Sequence, residues 1–201
     1  KNNTATGSGG GIYNTGTLIM KGGSTCDNTA DGNGGGICNL NSFTLEEGKI
    51  TGNNAVYGGG IQNTKTVMMK KGSIAENHAS KGGAGVNNDG IFTMSAGEVY
   101  KNEAVADGGG IRCWGTGAST QITGGSVYEN WAGESGGGIS IRSGAACATS
   151  ACVVKNNEAL NGMAIYVDGI YQAFKEPEIL GDVFLAPDRF ILVTGTITDF
   201  C

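Results

Sequence analysis

Catalysis needs a few polar side chains held close together, so the carboxylates, the histidine, the cysteines and the tryptophans are placed first. A polysaccharide lyase or hydrolase would need clustered carboxylates, either binding calcium or paired as acid and base, with Arg or Lys nearby. The acids here are scattered: Asp27, Asp31, Glu46, Glu47, Glu76, Asp89, Glu98, Glu103, Asp107, Glu129, Glu134 and Glu158. His78 is the one histidine, and it reads as a solvated turn residue. A nucleophile–histidine triad then has no base. The reading is no catalytic residue, no metal site and no cofactor. The six cysteines include no Cys-x-x-Cys pair, which argues against a zinc site. What remains is binding chemistry. Trp114, Trp131, Arg112 and Arg142 fall in one stretch of the chain. Exposed aromatic rings flanked by polar groups suit a sugar ring or a partner's side chain.

The elements that would position those residues follow from glycine. It supplies 38 of the 201 residues, against 2 prolines. Collagen is excluded because glycine does not recur at every third position. The apolar fraction of 39% and net charge of −5 argue against disorder, and the sign of the charge against a nucleic-acid partner. No apolar run is long enough for a membrane span. The chain opens on Lys1-Asn2-Asn3, which reads as a mature or trimmed piece.

The glycines are periodic. Glycine-rich blocks precede Ile12, Ile37, Ile61, Val86, Ile111, Ile139 and Ile165, at spacings of 25, 24, 25, 25, 28 and 26. An Asn-x-Ala motif keeps the same beat, with Asn at 3, 28, 53, 77, 102, 130 and 157. An apolar column runs Met20, Leu45, Met69, Met94, Ile122. Five residues after each comes Thr25, Ile50, Ile74, Val99 or Val127, and Val154 continues that second column. Helical repeats are usually longer and avoid glycine triplets. Short β-branched segments bounded by glycine read as strands, three per repeat. Three strands per coil, stacked ~4.8 Å apart, describe a right-handed parallel β-helix, all-β, of about seven coils.

Each motif then has a structural task. The Ile/Val column stacks as an inward aliphatic ladder. Asn3, Asn28, Asn53, Asn77, Asn102, Asn130 and Asn157 stack as an amide ladder at a corner. A second amide ladder, Asn14, Asn39, Asn63 and Asn88, stops at Cys113.

Gly-Gly-Gly-Ile blocks alternating with Asn-x-Ala resemble the repeat arrays of bacterial surface and secreted β-helix proteins. They are similar to the Gly-Gly-Ala-Ile-type repeats of polymorphic outer-membrane proteins and adhesin-like proteins. The resemblance covers about residues 2–167; the Phe-x-x-Asn motif of the chlamydial type is missing. It implies a β-helix at the cell surface or outside the cell. Residues 1–167 form the repeat array. Residues 168–201 read as terminal coils or a cap of the same domain, with strands Ile179–Leu185 and Phe190–Ile197 and Phe174, Phe184, Phe190 and Phe200 as candidate plugs.

Copies five and six are lengthened, at Trp114–Ser119 and around Ala145–Ala151. Insertions in solenoids map to loops and often to binding faces. Register would set Trp114 over Arg142 in a cation–π contact, with Arg112 and Trp131 in the same two coils. Cys147 and Cys152 flank a short turn and are the first candidate disulfide. Cys26 and Cys38 are the second, if both point outward; buried free thiols are the alternative.

The function expected is a non-enzymatic adhesin, matrix protein or structural stalk. A carbohydrate-active enzyme and an ice-binding protein are the alternatives. Ice binding would need a flat outward threonine row. The column Tyr13, Cys38, Gln62, Asn87, Arg112, Ser140, Tyr166 is not one. The partners expected are a glycan or a surface protein, with end-to-end or lateral self-association at exposed sheet edges.

Overall fold

The computed structural model describes residues 1–193. It is a parallel β-solenoid with no helix among those residues. Strands stack coil on coil into three walls. One wall has six strands and carries Asn-x-Ala, from Thr4–Ala5 to Trp131–Ala132. One has eight strands and carries the Ile/Val column, from Ile12–Asn14 to Val183–Leu185. The third is a bent sheet of 13 strands, in which Thr17–Cys26 and Ser42–Thr51 run unbroken across the bend. Later coils split there into two short strands, such as Thr66–Met69 and Ser73–Ala75.

The expected register holds. Ile12 pairs with Ile37, Ile61 with Val86, Val86 with Ile111, and Ile139 with Ile165. Met20 pairs with Leu45, Leu45 with Met69 and Met94 with Ile122. Thr25, Ile50, Ile74, Val99, Val127 and Val154 follow one another in the second column. From Ile37 to Ile165 the Ile/Val column has no exposed surface. Each such side chain contributes roughly 1.5–3 kcal/mol by leaving water. A further inward column lies two residues before the Met/Leu one: Leu18, Phe43, Val67, Phe92, Thr120, Cys147, Tyr171, Ile191. Ordinary strand alternation puts it on the same face.

The corner ladder forms as an unbroken chain. Asn28 Nδ2 donates to Asn53 Oδ1 at 2.9 Å, Asn53 to Asn77 at 2.9 Å and Asn77 to Asn102 at 2.9 Å. Asn102 continues to Asn130 and Asn130 to Asn157. The same Oδ1 atoms accept a backbone N–H from the coil before, as Asn53 Oδ1 does from Asn28 N at 3.0 Å. The ladder holds the preceding residue in the left-handed region, although it is seldom glycine: Asp27 at φ 56°, Glu76 at 56°, Lys101 at 52°, Glu129 at 54°. That conformation is disfavoured for such residues and persists because the amide bonds over-determine it. Within the glycine blocks the reason is proximity. A Cβ on Gly36 would stand 2.6 Å from Gly60 O of the next coil.

The tail continues the stack. Glu178–Leu180, Val183–Leu185 and Ile191–Val193 are short strands that continue the walls: Ile179 stacks on Val154, Val183 on Ile165 and Ile191 on Tyr171. The inward positions keep their apolar period even where the glycines are lost, so stacking continues. Phe184 and Phe190 do not act as plugs, and Phe174 is only partly buried. Phe184 stacks outside on Tyr166 at 5.4 Å, and Phe184 and Phe190 are both exposed. Phe200, Cys201 and the later part of the expected strand Phe190–Ile197 lie outside the described residues.

Candidate ligand-binding cleft

The strand Ile111–Cys113 turns Ile111 inward and Arg112 outward. An outward arginine would ordinarily be solvated, yet Arg112 is only 7% exposed. The segment leading into the glycine blocks folds over this wall and roofs its outer column: Cys38, Gln62, Asn87, Arg112 and Ser140 are all buried. Gly82 belongs to that roof, and a Cβ there would stand 2.9 Å from Arg112 Cδ. The guanidinium lies 4.2 Å from the Trp114 ring centroid and 5.3 Å from that of Tyr57. Its Nη1 donates to Asn87 Oδ1 at 3.3 Å, and its Nε is 3.4 Å from Asp107 Oδ2. Burial pulls its pKa below the ordinary guanidinium value, and Asp107 opposes that.

A polar relay crosses the coils from there. Asn87 Nδ2 donates to Gln62 Oε1 at 2.9 Å, and Gln62 Nε2 donates to Asp89 Oδ2 at 3.1 Å. On the other side, Arg142 Nη1 donates to Asp107 Oδ1 at 3.5 Å. Although Asp89 is exposed, partial desolvation in the cleft raises its carboxyl above the ordinary value, against the Gln62 hydrogen bond and Arg112. Three buried polar atoms have no hydrogen-bond partner among the described residues: Arg112 Nε, Arg142 Nε and Ser140 Oγ. Asn33, Tyr57, Gln62, Asn87, Asp89, Arg112 and Trp114 line a cleft of about 250 Å³.

The four residues picked from the sequence are therefore divided. Arg112, Trp114 and Arg142 belong to one network. Trp131 stands on the six-stranded wall, in register with Glu103 and bridged to Glu158, and does not line the cleft. The guanidinium over Trp114 is that of Arg112, from the same strand end, instead of Arg142; Arg142 lies 5.5 Å from the Tyr166 ring. Register placed the backbones correctly, with Arg142 N donating to Cys113 O, but the long side chains reach along the wall. Both inserted loops fall at this same corner. Copy six gains its residues before the strand Ala146–Thr149, not around Ala145–Ala151, and Gly117 N donates to Gly144 O between the two loops. Tyr57 was not singled out in the sequence, Asp89 was placed only among the scattered acids, and Gln62 and Asn87 only in the outward column of Arg112, none of them as a binding residue. Gln62 and Asn87 could have been found because they share the outward column of Arg112.

Neither expected disulfide is present: Cys26, Cys38, Cys113, Cys147 and Cys152 are free thiols. Cys147 is an inward residue stacked between Thr120 and Tyr171. Its sulfur is committed to core packing, and Cys152 is buried as well. Cys26 and Cys38 sit on different walls. Cys113 ends the second amide ladder, as expected, and Asn88 Nδ2 turns to Thr120 Oγ1 at 3.1 Å. His78 begins a strand on the six-stranded wall, in place of the turn expected, with Nδ1 3.1 Å from Asn54 Oδ1.

The Chlamydia polymorphic membrane protein (Chlamydia_PMP) repeat family matches residues 1–15. That stretch holds one Asn-x-Ala and one Gly-Gly-Gly-Ile, and later copies stack on it in register, Thr4 on Thr29 and Ile12 on Ile37. No curated protein and no solved structure matches the chain. The chain is thus a parallel β-solenoid repeat protein whose first repeat is similar to that of a bacterial membrane-protein family.

Proposed function

We propose that the chain is a non-catalytic, adhesin-like β-helix displayed at the cell surface, presenting the Arg112–Trp114 cleft to a partner outside the cell. The observation that carries this reading is how the patterned residues are used. The Ile/Val column, the Met/Leu column and the corner amides are spent on stacking, and the cleft is where a buried outward arginine and a side-chain amide relay meet an exposed indole. The match of the first repeat supports a surface location. Hydrolysis of a glycosidic bond would call for a second carboxylate beside Asp89. The nearby Asp107 has its oxygens held by Arg112 and Arg142, which suits it to fixing the arginines instead of moving protons. Incubation with a panel of plant and microbial polysaccharides should release no new reducing ends. An antibody to the chain should label intact source cells. Cleavage of any polysaccharide, or labelling only after permeabilisation, would overturn the proposal.

A further inference from the structure

The cleft also points to the chemistry of its ligand, an inference that rests on the reading of this face as a binding surface. Asp89 supplies a carboxylate whose Oδ2 is bonded to Gln62, leaving Oδ1 without a hydrogen bond among the described residues. Arg112 supplies a guanidinium whose Nη1 is bonded to Asn87, with Nη2 likewise unengaged. It is more than nine-tenths buried, with its Nε turned to Asp107 Oδ2 at 3.4 Å, so the unengaged Nη2 is the donor left for a ligand. Trp114 stands beside them at 44% exposure and offers a flat apolar ring. An anionic ligand would meet Asp89, and a cationic one would meet Arg112. A neutral ligand that both donates and accepts satisfies both, and a carbon face is what an indole covers.

We propose that this cleft binds one neutral pyranose ring, its adjacent hydroxyls bridging Asp89 and Arg112 and its C–H face resting on Trp114. The size agrees. About 250 Å³ falls just below the ~300 Å³ at which drug-sized sites begin, so a single sugar unit fits and a longer glycan would continue outside. The amide relay through Gln62 and Asn87 holds the two charged groups at a fixed separation, so few of the cleft's own side chains need ordering when the sugar arrives.

The test uses the full chain and defined probes: the methyl glycosides of glucose, galactose, mannose and N-acetylglucosamine, with glucuronic acid and glucosamine as charged comparators. Saturation-transfer NMR should show contact with at least one neutral glycoside, strongest at ring C–H protons, and weaker transfer to both charged sugars. Trp114→Ala and Asp89→Asn alter exposed side chains, so the fold should be kept, and each should weaken binding at least tenfold. Trp131→Ala, on the other wall, should leave it unchanged. Absence of contact with every neutral glycoside, preference for a charged sugar, or full binding by Trp114→Ala would each overturn the assignment. Those outcomes leave the surface, non-catalytic reading standing, because cell labelling and polysaccharide integrity test that separately.

Discussion

Replacing Asn102 with Ala removes one rung from the middle of the corner ladder. Asn102 has no exposed surface. Its Oδ1 accepts from Asn77 N at 3.1 Å and Asn77 Nδ2 at 2.9 Å. Its Nδ2 donates to Ile74 O, Tyr100 O and Asn130 Oδ1. Some of these groups keep another partner. Asn77 Nδ2 still reaches Ile50 O, Tyr100 O still accepts from Glu76 N, and Asn130 Oδ1 still accepts from Asn102 N. The backbone N–H of Asn77 is left buried without an acceptor, and Ile74 O loses a donor. At about 1–3 kcal/mol for each of these two buried groups, the variant should lose roughly 2–6 kcal/mol. Lys101 at φ 52° would also lose what holds it there. Asn54→Ala is the control: the same residue type next to the ladder residue Asn53, but exposed, with a surface hydrogen bond to His78, and expected to change stability by less than about 0.5 kcal/mol. Urea unfolding measures both, and hydrogen exchange at Asn77 reports the local opening that a stacked array permits. A loss below about 1 kcal/mol, or equal losses in the two variants, would refute the reasoning.

Ile111→Ala empties a fully buried position in the Ile/Val column and should cost about 2–5 kcal/mol in urea unfolding, with the cleft lost before the outer coils in hydrogen exchange. Gly82→Ala pushes a methyl group against Arg112 Cδ and, at 2.8 Å, Asp107 O. It should shift the near-ultraviolet signal of Trp114, whereas Gly16→Ala, with open space around its Cβ, should not. Burial pushes the Cys152 thiol from 9.0 up to about 11, and it also raises Cys113 and Cys147. A folded pKa above the unfolded one means the folded chain keeps a proton that the unfolded chain loses. The stability linked to Cys152 is therefore complete below pH 9 and is lost as pH rises from about 9 to about 11, by about 3 kcal/mol. Thermal melts from pH 7 to 11 should show that decline, reduced in Cys152→Ala.

The walls were legible because their signals are periodic. Ile12 to Ile165 and Asn3 to Asn157 repeat with few changes of spacing, and in a stack each copy corroborates the next. The Leu18–Phe43–Val67 column was missed because its later members, Thr120, Cys147 and Tyr171, do not look like one class of residue. The strands of the last coil were placed only loosely for a similar reason: Ile179, Val183 and Ile191 keep the inward positions after the glycines have gone. The cleft was only half legible. Spacing gives register, and register gave Arg112 and Trp114 a common wall. It says nothing about a roof, so the burial of Gln62, Asn87 and Arg112 could not be read, nor could the reach of Arg112 back to Trp114. The disulfides failed because proximity along the chain was weighed above direction. Cys147 alternates inward, and Cys26 and Cys38 face away from different walls.

The most direct test of the account reads binding and chemistry in the same well. The full chain is applied to immobilised plant and microbial polysaccharides. Retained protein is measured by a fluorescent label, and polysaccharide integrity by released reducing ends. The account predicts retention on at least one neutral polysaccharide, no release of reducing ends, and retention reduced at least tenfold in Trp114→Ala. Release of reducing ends, or equal retention of the Trp114→Ala chain, would contradict it.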